Sequence, residues 1–330
     1  MRFARCLLAG LSLLALTAAV HARPPEANVQ QPRIRPVRHG ADLDASRVGP
    51  AALGLGPTAS SPGGAMHDGK AYPFAREVAQ GASYDGFTVT GPHLLIERVA
   101  FTGPLDVYTT RPVVMRGVSI RTTMAAPWAL HTRPGSGPLH FLWSEAGAAS
   151  VEGAPNNTSR AQQRALYLRG DGAVVYRSHL SLTADGIQIH GLGTRVIETL
   201  IDGLTFWTGD HNDGIQMLGR GADAQILRSR IVNANPQTSC LNLVGDRVRV
   251  QDNYLSGGGW VIYGGANSNG KGPANTREVV VTGNRFGREH FPKGGNFGIA
   301  AYWDDTPGTG NVWTDNRFVD GAIVAVGGQR

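Results

Sequence analysis

The sequence predicts an all-β fold in the form of a parallel β-solenoid, and three observations lead to this prediction. Glycine makes up 45 of the 330 residues, about 14%, which is roughly twice the usual ~7%, without a collagen-like period. From Tyr84 onward, short β-branched segments ended by Gly, Asn or Asp recur at intervals of roughly 20 to 30 residues. Two of the strand segments, Asp185–Ile189 and Asp213–Met217, are nearly identical. A repeat of this kind has no helix and can bury its apolar residues only by stacking on its neighbours.

Residues 1–22 have the pattern of a secretory signal peptide. Arg2 and Arg5 precede an apolar segment over residues 7–20, which is followed by a small-residue cleavage pattern. The apolar segment is too short to favour a membrane anchor, so we expect a secreted or periplasmic protein without a membrane span. Cys240 is the single cysteine outside this peptide, which leaves no pair for an intramolecular disulfide.

Three further segments follow along the chain. Residues 23–83 are rich in proline and glycine without periodicity and are predicted to form a linker or a loosely packed N-terminal cap. Residues 84–330 are the predicted solenoid. Within it, residues 122–164 break the repeat and are predicted to be a loop insertion that covers part of a groove, with one further strand at residues 139–141.

Asparagines fall at one turn position in three successive repeats, at Asn253, Asn284 and Asn316. Asparagine tolerates the left-handed backbone conformation, and its amide can hydrogen-bond along a stack. We therefore predict a structural ladder at this turn rather than a ligand site. The glycines, including Gly186 and Gly214, are predicted to form the sharp corners between strands because glycine reaches positive φ without steric cost.

The chain resembles the secreted right-handed parallel β-helix proteins of the pectate-lyase-like superfamily over about residues 84–326. The resemblance rests on the strand–turn–Asn repeat, on the Asp-Gly-Ile-Gln units and on the segments 263–265 and 310–316. It implies a right-handed parallel β-helix of about eight to ten coils that binds or degrades a polysaccharide. The superfamily includes lyases, glycoside hydrolases, esterases, epimerases and non-enzymatic adhesins, so the resemblance does not select one reaction.

Outward-facing side chains of successive repeats should form columns, because stacking places equivalent residues side by side. One predicted column consists of Tyr167, Gln188, Gln216 and Asn242. Arg169 and His190 follow two residues later in their strands. A row of amides and a phenol could bind sugar hydroxyls, or the amides could form a ladder that satisfies only itself.

The densest group of reactive side chains runs from Trp207 to Gln216. Trp207 can stack on a sugar ring, and His211 can transfer protons near neutral pH. Asp213 should lie one coil from Asp185, with their backbones ~4.8 Å apart. Two carboxylates at that separation repel each other, so either one pKa is raised or a cation is bound. A carboxyl group with a raised pKa could act as the acid of a glycosidase, and a bound calcium ion could neutralise a uronate during elimination. If each aspartate only begins an Asp-Gly turn, neither a raised pKa nor a cation is required.

A lyase also needs a base for the proton next to the uronate carboxylate. His211 is the first candidate, and Lys271 and Tyr263 are the second candidates because long loops off one turn form the walls of a solenoid groove. The predicted site residues fall into three groups: catalytic His211, Asp213, Asp185 and Lys271; substrate-binding Gln188, Gln216, His190, Trp207, Tyr167 and Tyr263; and, for any calcium ion, Asp185 and Asp213.

The charge of the chain agrees with an acidic partner. The formal net charge is +6, which is mild, and nothing resembles the Lys/Arg-rich patch with interleaved aromatic residues of a nucleic-acid-binding protein. The sequence therefore predicts a secreted monomer that binds and degrades a polysaccharide, with β-elimination of an acidic (uronate) glycan preferred. Two alternatives stay open: a glycoside hydrolase on the same fold, and a non-catalytic, adhesin-like glycan-binding protein.

Overall fold

The computed structural model describes most of the chain, and strands dominate the described part. The described residues are 36–68, 74–123, 126–150, 164–205, 211–217, 222–265 and 276–326. The predicted signal peptide, residues 1–22, lies outside them.

Short helical turns open the described chain, and strands follow. Two 3-10 helices span Gly40–Asp42 and Ala45–Arg47, and one short α-helix, α1, spans Gly49–Ala52. The strands are, in chain order, β1 Ala59–Ser61, β2 Gly64–Met66, β3 Ala75–Val78, β4 Ser83–Tyr84, β5 Phe87–Thr88, β6 His93–Glu97, β7 Val99–Phe101, β8 Leu105–Val107, β9 Val113–Arg116, β10 Ser119–Thr122, β11 Trp128–Thr132, β12 Leu139–Leu142, β13 Glu145–Ala148, β14 Arg164–Leu168, β15 Val174–Tyr176, β16 His179–Ser181, β17 Asp185–Ile189, β18 Arg195–Ile197, β19 Leu200–Asp202, β20 Asp213–Met217, β21 Gln225–Leu227, β22 Arg230–Asn233, β23 Ser239–Asn242, β24 Arg249–Gln251, β25 Tyr254–Gly257, β26 Trp260–Tyr263, β27 Val280–Thr282, β28 Arg285–Phe286, β29 Gly298–Ala301, β30 Val312–Thr314 and β31 Arg317–Phe318.

From β6 onward, each strand pairs with the strand three places later in the chain. This pairing produces three long sheets that wrap around one axis. Sheet A has the order β1-β7-β10-β13-β16-β19-β22-β25-β28-β31, sheet B has β2-β8-β11-β14-β17-β20-β23-β26-β29, and sheet C has β3-β6-β9-β12-β15-β18-β21-β24-β27-β30. The pairs are parallel except β3–β6, at the N-terminal end of sheet C, and the separate hairpin β4–β5. The fold is thus a right-handed parallel β-helix, which confirms the predicted class. Strands β6 to β29 make eight complete coils, with partial coils at both ends.

The interior of the solenoid is filled by stacked apolar side chains. In sheet A, one inward column contains Phe101, Ile120, Ala146, Leu180, Ile201, Ile231, Leu255, Phe286 and Phe318. Buried residues of all three sheets join in one core cluster. Each fully buried aliphatic or aromatic side chain contributes about 1.5–3 kcal/mol, so the coils stabilise one another through this shared core.

The turn between a sheet C strand and the next sheet A strand, which we call the C–A corner, is fixed by a polar ladder whose first acceptor is in the third coil. The Asn253 N–H donates to Asn284 Oδ1 (2.9 Å), and the Asn284 N–H donates to Asn316 Oδ1 (3.1 Å). These buried asparagines confirm the predicted ladder. In the four coils before these, the same position is held by Ser144, Ser178, Thr199 and Ser229, and the Val118 N–H donates to Ser144 Oγ at 3.0 Å. The first two coils have Val99 and Val118 there.

The residue before each ladder position is in the left-handed backbone region, and it is mostly not glycine. These residues are Arg98, Gly117, Trp143, Arg177, Glu198, Arg228, Asp252, Gly283 and Asp315. Gly186 and Gly214, which were predicted to form corners, instead lie within strands β17 and β20. A Cβ on Gly214 would come within 2.3 Å of the Ile231 side chain and 2.6 Å of the Cys240 carbonyl oxygen. Close packing inside the coil explains these two glycines.

The N-terminal segment packs along the solenoid and is not a linker. Residues 36–58, which we call the strap, run against the C–A corners from late coils to early ones. The Gly40 N–H donates to the Asp252 carbonyl (2.7 Å), and the Thr58 N–H donates to the Arg98 carbonyl (2.7 Å). Between these points, apolar strap residues are buried against Leu200 of sheet A. Strands β1 and β2 then extend sheets A and B by one strand each.

Residues 122–164 also differ from the prediction of a loop insertion. They contain strands β11, β12 and β13, which supply one strand to each sheet and form a regular coil. The coil was missed because its strands β12 (Leu139–Leu142) and β13 (Glu145–Ala148) lack the β-branched residues that mark the other repeats. Residues 151–163 lie outside the described chain.

The β4–β5 hairpin covers part of the outer face of sheet C. The Phe87 ring lies 5.1 Å from the Tyr176 ring and 6.3 Å from the His140 ring, between centroids. His140 is therefore buried, and its Nδ1 has no hydrogen-bond partner. Burial, followed by the nearby positive charge of Arg195, lowers the pKa of His140 to about 4. The folded protein thus keeps this histidine neutral.

Replacement of Asn284 by Ala should lower the free energy of unfolding by about 2–4 kcal/mol, because the N–H of Asn253 and the Val250 carbonyl lose buried partners. Urea unfolding followed by circular dichroism measures the change. Asn296→Ala is the control, since Asn296 is exposed. Equal effects of the two substitutions would contradict a special role for the ladder.

Stability should fall as the pH decreases from about 6.5 to 4, because the unfolded chain protonates His140 in this range while the folded chain does not. The contribution of His140 at pH 4 is about 3 kcal/mol relative to neutral pH. His140→Leu should flatten the pH dependence of the unfolding free energy, whereas substitution of the exposed His290 should leave it unchanged. An unaltered slope in His140→Leu would refute this assignment.

Candidate functional site

The outer face of sheet B carries polar and aromatic side chains in register over many coils. The predicted column of Tyr167, Gln188, Gln216 and Asn242 is present, with each residue paired to the next. Asp106 and His131 precede it in the same register, and Tyr263 follows it. We call this set the Tyr167 column.

Two further columns flank the Tyr167 column. The first, which we call the Asp213 column, contains Trp128, Arg164, Asp185, Asp213, Ser239 and Trp260. The second, which we call the Arg169 column, lies two residues beyond the Tyr167 column and contains Tyr108, Arg133, Arg169 and His190. Three neighbouring columns therefore bring arginine, histidine and tyrosine side chains to one face.

Tyr167 lies at the centre of this face. The His131 ring stacks on it, with centroids 4.7 Å apart and an interplanar angle of 14°. The His190 ring meets it edge-on at 5.4 Å. The guanidinium carbons of Arg164 and Arg169 lie 4.9 and 5.6 Å from its centroid. A phenol, two imidazoles and two cations thus share one small region.

His131 is held by an acidic partner and is covered by aromatic rings. Its Nδ1 donates to Asp106 Oδ1 at 2.8 Å, and the Trp128 ring lies 4.5 Å from its ring. Burial lowers the pKa of His131, and the hydrogen bond to Asp106 partly opposes this effect. Because the ring is only 3% exposed, His131 can position Tyr167 but cannot reach a ligand on the surface.

His190 is half-buried and has two arginines for neighbours. Burial lowers its pKa, and the positive charges of Arg169 and Arg164 lower it further. Its Nε2 is buried and has no hydrogen-bond partner among the described residues, so a proton from a substrate has to reach Nδ1. The imidazole is therefore neutral at neutral pH and is able to accept a proton.

The two arginines beside Tyr167 differ in their partners. Arg164 Nε donates to Gln188 Oε1, which starts a directed chain of amide hydrogen bonds. Gln188 Nε2 then donates to Gln216 Oε1. Arg169 is exposed and forms no ion pair with any residue that the structure describes. Its guanidinium is available for an anion.

The amide chain ends on Asp213, which is fully buried. Gln216 Nε2 donates to Asp213 Oδ2 at 3.1 Å, and Ser239 Oγ donates to Asp213 Oδ1. Gln188 and Gln216 therefore hydrogen-bond to each other, but the chain also includes Arg164 and Asp213 and does not include Asn242, so it is not the self-contained amide ladder that was the predicted alternative. Gln188 is only 3% exposed, whereas Gln216 and Asn242 remain partly exposed.

Asp185 and Asp213 are stacked one coil apart, as the sequence predicted, but they are not arranged for catalysis. The Asp213 N–H donates to Asp185 Oδ1 at 2.9 Å, and both side chains are buried. Burial raises the pKa of Asp213, while its hydrogen bonds partly oppose that effect. A glycosidase acid must reach the glycosidic oxygen, and this carboxyl group does not reach the surface.

The same two residues do not fit a calcium ion. Calcium takes six to eight oxygen ligands, whereas both Asp213 oxygens already accept hydrogen bonds from Ser239 and Gln216. In the described part of the chain, no group of three or more His, Cys, Asp or Glu side chains is arranged to hold a metal ion.

The remaining predicted residues are dispersed or lie outside the described chain. His211 is exposed just before β20 and forms no hydrogen bond with a described residue, so the structure does not join it to Tyr167. Trp207 and Lys271 lie outside the described residues. Tyr263 belongs to the Tyr167 column, four coils from Tyr167.

Sequence reasoning missed Asp106, His131 and Arg164. Strands β11 and β14, which carry His131 and Arg164, lie in or at the end of the segment that was predicted to be a loop, whereas β8, which carries Asp106, precedes it. The signal was present, since His131 and Asp106 occupy the second-last position of short apolar strands, as Tyr167 and Gln188 do. Only the assignment of 122–164 as a regular coil makes that alignment visible.

An apolar cavity of about 290 Å³ lies at the C-terminal end of the solenoid, away from Tyr167. Its lining includes Phe318, Ile323 and Val324 and contains no titratable side chain. It therefore lacks the groups that acid–base chemistry requires.

Comparison with known proteins adds no assignment. No protein-family model matches the chain, and no significant similarity is found to a curated protein or to a solved structure. Among the described residues, no helix is long and apolar enough to cross a membrane. A function for this protein must therefore be inferred from its fold and from the chemistry of the sheet B face.

Proposed function

We propose that this is a secreted protein of the pectate-lyase-like superfamily that cleaves an acidic polysaccharide by β-elimination. The observation that carries the proposal is the group around Tyr167, where a neutral imidazole and a phenol lie beside arginine side chains on the outer face of sheet B. Elimination from a uronate needs these three elements: a cation for the carboxylate, a base and an acid.

The carboxylate of the sugar binds to Arg169, and Arg164 adds a second positive charge. Arginine donates two parallel hydrogen bonds to a carboxylate, which fixes the orientation of the sugar. Neutralisation of the carboxylate also stabilises the negative charge that develops when the adjacent C–H bond is broken.

His190 removes the proton from the carbon next to the carboxylate. The electron pair of that bond forms a carbon–carbon double bond, and the bond from the β-carbon to the glycosidic oxygen breaks. Tyr167 gives its phenolic proton to the leaving oxygen and later recovers one from solvent, while His190 releases its proton to water. The products are an unsaturated uronate and a shortened glycan chain, and no water is consumed.

Asp106 and His131 act as positioning residues in this scheme. The 2.8 Å hydrogen bond between them fixes the imidazole, and the imidazole stacks on Tyr167. A tyrosine held in this way presents its hydroxyl in one orientation, which lowers the cost of ordering it in the transition state.

Hydrolysis receives less support, because the stacked pair Asp185 and Asp213 is buried and hydrogen-bonded. A non-catalytic glycan-binding protein is the other alternative. It would use the same arginines but would not depend on His190 as a base.

Replacement of His190 by Asn or of Tyr167 by Phe should lower kcat by about 10²- to 10⁴-fold on the preferred uronate polymer, because each variant lacks one proton-transfer group. Absorbance of the unsaturated product, measured with pectate, alginate and glycosaminoglycans, follows the reaction. His290→Asn is the control, since His290 is exposed outside this face. Polymer binding without product in the unaltered protein would favour the non-catalytic alternative.

Replacement of Arg169 by Gln should raise KM, and it should also move the acidic limb of the kcat/KM profile to higher pH. The shift is expected because Arg169 lowers the pKa of His190, so without it the base becomes protonated at a higher pH. Arg249→Gln, on an exposed residue of sheet C, is the matched control. A profile that stays in place would contradict the role of His190.

Dialysis against a chelator should leave the lyase activity unchanged, and added calcium should not increase it. Arginine supplies the positive charge in this scheme, and the oxygens of Asp213 are engaged with protein donors. Loss of activity on chelation that calcium restores would refute charge neutralisation by arginine alone.

A further inference from the structure

The far end of the Tyr167 column carries a second aromatic group. The rings of Tyr263 and Tyr302 stack with centroids 5.5 Å apart and an interplanar angle of 20°. Tyr302 follows strand β29 and is 36% exposed, so the outer face of its ring is open to solvent. Tyrosine rings of this kind pack against the apolar face of a sugar.

This aromatic pair lies in line with the catalytic group. Four steps of the column separate Tyr167 from Tyr263, which corresponds to about 19 Å at ~4.8 Å per parallel strand. Gln216 and Asn242 lie between them and are partly exposed, so their amides face the same side as both tyrosines. Of the three residues between the two aromatic ends, Gln188 is buried and Gln216 and Asn242 are partly exposed.

We infer that Tyr263 and Tyr302 form a distal sugar-binding subsite, and that the substrate is a long acidic glycan lying parallel to the solenoid axis. The inference rests on the proposed function for the reaction at the other end of the face. A span of about 19 Å requires a chain of several sugar units, so a short oligosaccharide that fills the site at Tyr167 does not reach the tyrosine pair.

The backbone at Tyr302 allows a clean test. Tyr302 has φ of 56°, in the left-handed region that glycine adopts without strain. Tyr302→Gly therefore removes the ring without imposing a backbone conformation that the new residue resists. Tyr302→Phe is the matched variant, since it keeps the ring and loses only the hydroxyl.

Tyr302→Gly should raise KM for the uronate polymer about tenfold, which is the loss expected for one aromatic contact. The value of kcat/KM on a trisaccharide of the same uronate should stay unchanged, and Tyr302→Phe should resemble the unaltered protein. Equal effects on polymer and trisaccharide, or no effect on either, would overturn the inference.

Electrophoresis in gels that contain pectate, alginate or hyaluronan separates this inference from the proposed reaction. If no uronate polymer is cleaved but one retards the protein and Tyr302→Gly abolishes the retardation, the subsite stands and the lyase proposal fails. If a polymer is cleaved and Tyr302→Gly is retarded as strongly as the unaltered protein, the subsite fails and the lyase proposal stands. Absence of retardation by all three polymers overturns the subsite.

Discussion

The buried hydrogen bond found at most C–A corners is the interaction on which the rest of the molecule depends. The backbone N–H of one coil donates to a polar side chain of the next, as from Asn253 to Asn284 and from Asn284 to Asn316. A parallel sheet tolerates no slip when one face is buried, because a shift by one residue would turn every apolar side chain outward. The buried faces and the ladder therefore set the register together, and the register places Tyr167 beside His131 and His190.

The sequence supported the fold better than it supported the site. The repeated strands predicted the solenoid because the buried alternation must recur in every coil, and the alignment of Gln188 with Gln216 predicted a column that exists. The predicted catalytic role of Asp213 was wrong for a physical reason. Sequence spacing shows that the carboxylates of Asp185 and Asp213 stack, but it does not show that they are buried. His131 was not found because β11 lies in the segment predicted to be a loop, where the following strands β12 and β13 lack the β-branched residues that mark the other repeats.

The buried Asp213 nonetheless influences the candidate site. It accepts the last hydrogen bond of the chain that begins at Arg164 and passes through Gln188 and Gln216. Since each amide must donate in one direction, the carboxyl group orients both glutamines and leaves Gln188 Oε1 to receive the Arg164 guanidinium. A group that never meets the glycan thus holds one of the two cations next to Tyr167.

The strap reverses the usual relation between the order of synthesis and the order of assembly. Its first contacts are with late coils, since His39 Nε2 donates to the Gly283 carbonyl, and its last are with Arg98 in the first coil. The strap is synthesised early, but it can reach its final position only after the late coils have been synthesised and folded. Coils can add one after another from local contacts, but the strap closes over a sequence separation of more than two hundred residues, and such contacts form slowly. Binding of the strap to the C–A corners is accordingly expected to be the final folding event, because it needs a complete solenoid.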